Sequence, residues 1–323
     1  MQEVTDRDFM ALIARYGAPD FYITEYFRVY ANSRLDRHIL RAITENATGR
    51  PVWAQLIGEH LPDLCRIAQE LQTYPIAGID LNLGCPAPRV YRKNVGGGLL
   101  REPATVDRLL AGLRDAIAVS FTVKMRVGFA DLENFAELLT ILARRGVDRV
   151  SLHGRTVKEG YRGEVRYGAI AQAVQALPCP VIANGNVDSA AKAQTVLTQT
   201  GAAGVMIGRG AIANPWIFRQ TQARLQGHPP YQPSHQEAYQ YLEALAALAP
   251  PHAGAPQRLA RLKKYANFVG THLSADFLAQ MRRSQTLEAF WEVCGRHLLT
   301  HPQAPYPLAP NPQLVARPSC EGP

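Results

Sequence analysis

Cysteine is sparse and scattered in this chain. The five cysteines among 323 residues are Cys65, Cys85, Cys179, Cys294 and Cys320, and no two form a CxxC pair. That excludes a stapled secreted scaffold and a structural zinc site, and it points to a reducing compartment. Long apolar runs are also missing, so no segment has the length needed to cross a bilayer. The opening Met1-Gln2-Glu3-Val4-Thr5-Asp6 is acidic and polar, unlike a secretory leader, and a cytoplasmic location is expected. A doubly wound dinucleotide fold places a glycine-rich phosphate loop after its first strand, and none is found. Positive charge is in excess: 35 Lys and Arg against 27 Asp and Glu, a net charge of +8. The excess favours an acidic partner, nucleic acid first.

Short β-branched or aromatic runs alternate with longer helical patterns. Strands are predicted near 20–24, 52–57, 78–83, 121–126, 148–153, 181–183 and 204–207. Helices are predicted over 61–73, 105–118, 132–145, 168–176 and 189–198. Strand, helix, strand in repetition means parallel pairing through right-handed crossovers. The fold expected is a TIM (β/α)8 barrel, although only seven strands are counted. From about His235 the pattern turns purely helical, with helices over 238–248, 258–269, 275–281 and 287–299. The Pro/Gly-rich stretch 227–233 reads as a linker. Three regions are therefore expected: a catalytic barrel over 1–228, a helical domain over 235–300, and a proline-rich disordered tail over 301–323.

Chemistry-bearing residues fall at the predicted strand ends. The run Leu81-Asn82-Leu83-Gly84-Cys85-Pro86 presents an amide and then a thiol at a turn. Barrel enzymes place their chemistry at the C-terminal ends of strands. Beyond it, Arg89, Arg92 and Lys93 precede Gly96-Gly97-Gly98, which reads as a mobile segment beside a polyanion. Gln55 ends one strand, Lys124 lies within Thr122-Val123-Lys124-Met125-Arg126, and His153 precedes Gly154-Arg155-Thr156. Each has an ordinary structural reading singly; together they make a site. The loops Asn184-Gly185-Asn186 and Gly208-Arg209-Gly210 expose backbone N–H groups to an anion, the second before a helix starting near Asn214-Pro215. A phosphate-bearing cofactor is implied, with Lys124 against its ring.

These blocks together resemble the tRNA-dihydrouridine synthase family along nearly the whole chain, from Met1 to about Leu299. The matching segments are Leu81–Pro86, Ala54-Gln55-Leu56-Ile57-Gly58, Val123–Arg126, His153–Thr156, Ala183-Asn184-Gly185 and Ile207–Gly210. Ile23-Thr24-Glu25, Arg28-Val29 and Glu159-Gly160-Tyr161-Arg162 look most like the C-type bacterial branch. The resemblance implies FMN as cofactor, NADPH as reductant and a D-loop uridine of tRNA, position 16 in that branch, as substrate. Met1, Gln55, Lys124, His153, Asn184, Gly185, Asn186, Gly208 and Arg209 would hold the flavin. Cys85 would be the catalytic proton donor, since a thiol with a pKa near 8.5 stays mostly protonated at neutral pH. Asn82 would position the base. A base inside folded RNA must be turned out of its stack to react, so the surrounding surface must grip phosphates. Arg89, Arg92, Lys93, Arg126, Tyr161, Arg162, Arg261 and Lys263 are the expected tRNA contacts, with Arg258, Arg261 and Lys264 forming a stripe on one helix.

The family's first strand ends in Ala-Pro-Met, and Met1 matches that methionine. The first barrel strand is thus expected to be absent, through either an upstream start or a deletion. A monomer with no metal and no membrane association is expected. Two other readings stand beside this one. One is a flavoenzyme acting on a small pyrimidine or orotate; the other, if the strand is truly missing, is a non-catalytic tRNA-binding protein.

Overall fold

The structure is a computed structural model and describes residues 4–306. In the barrel part, α1 (Arg7–Gly17) precedes β1 (Tyr22–Arg28), α2 (Arg37–Thr44), β2 (Val52–Ile57), α3 (Leu61–Leu71) and β3 (Gly78–Leu83). Then come α4 (Pro88–Tyr91), a 3-10 turn at Gly96–Arg101, α5 (Pro103–Ala116), β4 (Ser120–Arg126), α6 (Phe135–Arg144) and β5 (Arg149–His153). They are followed by α7 (Tyr167–Ala176), β6 (Val181–Asn184), α8 (Ala190–Thr200) and β7 (Gly204–Met206). All seven strands are parallel and pair in sequence order, β1 to β7, which is the barrel arrangement the alternating pattern predicts. Among the described residues β1 pairs only with β2 and β7 only with β6. No described helix is long and apolar enough to cross a membrane.

Strands β2 to β6 are largely buried on both faces, as parallel strands under a helical layer must be, whereas β7 is only half-buried. Every residue of β3 is buried, and Leu56, Ile79, Leu81, Phe121, Val123, Val150 and Leu152 are inaccessible. Helices α3 and α5 cover them with Leu64, Ile67 and Leu71, and with Val106, Leu109, Leu110 and Leu113.

Strand β1 runs further than its sequence suggests. Its register against β2 shifts between Ile23 and Tyr26, and the Thr24 hydroxyl accepts the Gln55 N–H (3.1 Å) there. The break in alternation at Thr24-Glu25 is this bulge, a device common beside active sites. Glu25, buried at the bulge, accepts the Val4 N–H at 2.7 Å.

The chain forms two compact units. Of the described residues, the first holds 4–11, 19–185 and 195–206; the second holds 12–18, 186–194 and 207–306. The second contains α9 (Arg209–Ala213), α10 (Ile217–Leu225), α11 (His235–Ala247), α12 (Ala255–Val269), α13 (Ala275–Arg283) and α14 (Leu287–Leu298). Helix α11 opens with a full capping box, Ser234 and Glu237 exchanging side-chain and backbone bonds. The predicted tail starts too early. Pro305 bridges to Ser234, and the fully buried Tyr306 hydroxyl donates to the Val269 carbonyl (2.8 Å). Burying an aromatic ring outweighs the proline content there. Residues 307–323 and Met1 lie outside the described residues.

Candidate active site

Strand register builds the site in the first unit. Gln55 on β2 pairs with Asp80 on β3, and Asp80 with Thr122 on β4; one step on, Asn82 pairs with Lys124. Partners in parallel register share a face. Accordingly the fully buried Asp80 carboxylate accepts from Gln55 Nε2 (2.8 Å) and Thr122 Oγ1 (2.7 Å). Gln55 Oε1 accepts from Asn82 Nδ2 (2.9 Å), and Asn82 Oδ1 accepts the Gly84 N–H (3.0 Å). The chain of bonds leads from the strand core to the turn before Cys85, and it fixes both amide orientations. Burial pushes the Asp80 pKa up, opposed by its two hydrogen bonds and by Lys124 and Arg149. Gln55 thus lies within β2, two residues before the strand's end. The sequence reading missed Asp80 and Thr122, although a lone carboxylate in the apolar run 77–83 was a usable signal.

Cys85 is half-buried, packed with Ala87 and Tyr26 against Ile57, Val90 and Val95. The glycine run expected to be mobile is instead the buried 3-10 turn. Gly96 has φ +56°, a left-handed conformation suited to glycine. A Cβ at Gly97 would lie 2.7 Å from the Cys85 carbonyl oxygen. The glycines are there because the cysteine loop packs directly on them. Burial pushes the Cys85 thiol pKa up, opposed by the Ala87 N–H and by Lys124, Arg126 and Arg89. The sulfur therefore holds its proton at neutral pH. Burial, reinforced by Arg126, lowers the Lys124 ammonium to about 8, with Asp80 and Cys85 opposing. Lys124 is only half-buried by accessible surface, and among the described residues its ammonium has no hydrogen-bond or ion-pair partner. A desolvated cation of this kind suits an anionic or polar ligand group.

His153 ends β5 and is buried. Gly185, at the end of β6, has φ +128°, and a Cβ there would come within 3.0 Å of the His153 ring. Asn184 Nδ2 donates to the Met206 carbonyl (2.8 Å), tying β6 to β7. Arg126 differs from its expected role as a tRNA contact. Its buried guanidinium donates to the carbonyls of Gly84 (2.9 Å), Thr156 (2.9 Å) and Gly160 (2.7 Å). It joins the cysteine turn to the loop after β5, and that desolvation lowers its pKa to about 10. Arg155 Nε and Nη2 hold the Gly163 carbonyl (2.9 and 2.7 Å). Glu159 pairs twice with Arg166 (2.6 and 2.7 Å) and accepts the Thr156 N–H (2.8 Å). The loop so fixed presents Tyr161 and Arg162 to solvent, the Tyr161 ring lying 5.7 Å from the Arg126 guanidinium carbon.

In the second unit, Asn186 takes the left-handed conformation (φ 49°). Gly208 caps the short helix α9, whose first residue is Arg209. A Cβ at Gly210 would meet the Val187 carbonyl oxygen at 2.5 Å, so this glycine lets α9 close on the loop that holds Asn186. The stripe on α12 is less uniform than its spacing implies. Arg258 is exposed and folds back on the Pro251 and Ala253 carbonyls (2.9 and 2.8 Å), while Arg261 and Lys264 are half-buried. Lys263 also departs from its expected role. Its ammonium donates to the carbonyls of Arg282 and Ser284, capping the end of α13.

A family model described as dihydrouridine synthase matches residues 1–288. The chain belongs to the dihydrouridine synthase family. A tRNA-dihydrouridine synthase B of Pseudomonas aeruginosa is 37% identical over 254 residues, 77% of this chain and 75% of the relative. One of Xanthomonas axonopodis is 33% identical over 294 residues, 90% and 88% of the two chains. A probable tRNA-dihydrouridine synthase of Rhodobacter capsulatus is 34% identical over 229 residues, 70% of each.

The surface cations of the barrel unit fall into paired and unpaired sets. Arg7, Arg41, Arg114, Arg144 and Arg145 all pair with carboxylates. By contrast Arg28, Arg34 and Arg37, following or ending β1, and Arg89, Arg92 and Lys93, following β3, are exposed, with no ion pair among the described residues. Arg89 and Arg28 both bear on the half-buried Tyr26, which packs against the Cys85 cluster. These six cations lie towards the end of the sheet where the thiol sits.

Proposed function

We propose that this protein is an oxidoreductase that reduces a uridine of tRNA to 5,6-dihydrouridine, using FMN, NADPH and the Cys85 thiol. The observation that carries the reading is a thiol kept protonated just past the C-terminal end of β3, near an ammonium that has no hydrogen-bond or ion-pair partner among the described residues. Family membership supplies the substrate class, since the similar relatives carry the name of tRNA-dihydrouridine synthases.

The residues present suit a flavin. Lys124 offers the charge, Gln55 an amide whose orientation is fixed, and His153, Asn184 and Gly185 the adjoining strand ends. Asn186, Gly208 and Arg209 would serve its phosphate. FMN, when bound and reduced by NADPH, supplies a hydride for C6 of the uracil ring. Cys85 Sγ–H donates the proton to C5, completing reduction of the C5–C6 double bond. Asn82 and the bonded Gly84 turn hold that sulfur in place. Arg89, Arg92, Lys93, Tyr161, Arg162 and Arg261 would contact the tRNA, whose target base must leave its stack. The reading takes the protein as a cytoplasmic monomer. It takes the uridine to be in the D-loop, at position 16 by the C-type likeness, whereas the relatives named above are of type B or undesignated.

The purified protein should absorb in the visible as a flavoprotein, and a strain lacking it should lose dihydrouridine at one tRNA position. Wild type should restore that modification and Cys85→Ala should not, while still binding flavin. A colourless protein, or full restoration by Cys85→Ala, overturns the proposal.

A further inference from the structure

Most large apolar side chains on this surface are covered, yet Tyr30 is 60% exposed, more than any other large hydrophobic residue described. It follows β1, on a turn held from several directions. The Ser33 N–H donates to the Tyr30 carbonyl (2.9 Å), and the Tyr30 N–H donates back to Ser33 Oγ (3.2 Å). Asn32 supplies the left-handed step (φ 61°). Arg66 on α3 donates to the Ser33 carbonyl (3.0 Å), and the Val29 N–H donates to the Ile57 carbonyl (2.8 Å). Gly58 is tight against Val29, where a Cβ would lie 3.1 Å from its carbonyl oxygen. Six local constraints thus fix the backbone that carries this exposed aromatic side chain, and among the described residues its ring packs on no other ring.

The surroundings name the ligand. Arg28 and Arg34 flank the turn and Arg37 opens the next helix, all exposed and without an ion pair among the described residues. A fixed aromatic among unpaired cations is the equipment for single-stranded nucleic acid: rings stack bases and guanidinium groups take phosphates. The backbone beneath the ring is already fixed, and a tyrosine has only two side-chain torsions to lose on binding. Strands β1 and β3 are separated by one strand, which puts the ends of the two roughly 10 Å apart. We propose that Tyr30 is a stacking platform for an unpaired base of the RNA next to the uridine presented to Cys85, with Arg28 and Arg34 on its phosphates. This inference rests on the reading that tRNA is the substrate.

The test is the affinity of an unmodified tRNA transcript for wild type, Tyr30→Ala, Tyr30→Phe and Arg28→Ala across a salt series. Because Tyr30 is exposed, its variants should melt with wild type. Tyr30→Ala should bind about 5- to 150-fold more weakly with an unchanged salt slope, and Tyr30→Phe should bind as wild type. Arg28→Ala should instead reduce the slope by about 0.7–0.9. Wild-type binding that Tyr30→Ala leaves intact, or a loss in Tyr30→Phe equal to that in Tyr30→Ala, overturns the stacking role alone. A wild type that shows no salt-dependent affinity for tRNA sinks the substrate reading and the platform with it.

Discussion

Replacing Gly97 by alanine tests whether the glycine turn is a mould for the cysteine loop. The added Cβ would lie 2.6 Å from Val157 Cγ2 and 2.7 Å from the Cys85 carbonyl oxygen, about 0.7–0.8 Å inside ordinary contact. Rotating the valine gives no relief, because its other methyl would lie 3.0 Å away. Val157 is itself buried, so the Cys85 backbone must move by several tenths of an ångström. Overpacking of this kind costs about 1–3 kcal/mol, or roughly 2–10 °C in melting temperature for a protein of this size. The chemical effect should be larger than the stability effect, since a misplacement near 1 Å can cost about 100-fold in rate. Circular dichroism melts and single-turnover uridine reduction at saturating flavin measure the two. Gly295→Ala in α14 is the control: its Cβ meets nothing, and it should stabilise by about 0.5–1 kcal/mol without touching turnover. A Gly97→Ala protein with unchanged melting and unchanged rate would refute the argument.

Other expectations follow from charge. Lys124, lowered to about 8, is cationic below that pH and neutral above it, so flavin affinity of the apo-protein should fall as pH rises through 8. Lys124→Met should flatten that profile. Glu159 has its pKa pushed down to about 2, chiefly by Arg166. Its support for the loop is complete above the ordinary carboxylate value near 4.5 and is lost as pH falls towards 2. Glu159→Gln should therefore speed amide exchange over 154–166 at neutral pH, an effect on the order of 1 kcal/mol or less. The half-buried Cys85 thiol, its pKa raised, should alkylate with iodoacetamide at pH 7 more slowly than a free cysteine. Lys263→Met should lower the melting temperature through the lost cap, by up to about 1 kcal/mol, while leaving the salt slope of tRNA binding unchanged.

Much of the barrel is legible because a parallel strand buried on both faces has little choice of residues. The runs 52–57 and 78–83 are readable to the residue. The bulge in β1 is not, since it depends on Thr24 bonding Gln55, 31 residues away. Helix α2 went unnoticed despite its N-cap, Asp36, which accepts two backbone N–H groups. Within the site, the thiol and the lysine announce themselves by type. The task of Arg126 does not, because the carbonyls it holds come from Gly84, Thr156 and Gly160, each some 30–42 residues distant. Gly97 misled for the same reason: a glycine that gives way to a neighbour spells the same as one that flexes.

The aromatic cluster of the second unit bears on how the protein is made. Tyr16 meets Trp216 and Tyr241 edge-on, at 5.2 and 5.3 Å between ring centroids, and Tyr306 joins Trp216 at 6.3 Å. On a ribosome adding roughly 5–20 residues per second, Tyr16 emerges some 15–60 s before Tyr306. Trp216 and Tyr241 arrive within that interval, and until Tyr306 follows the cluster lacks one of its rings. Slowing translation between the two tyrosines should lengthen the time for which the unfinished cluster stays exposed.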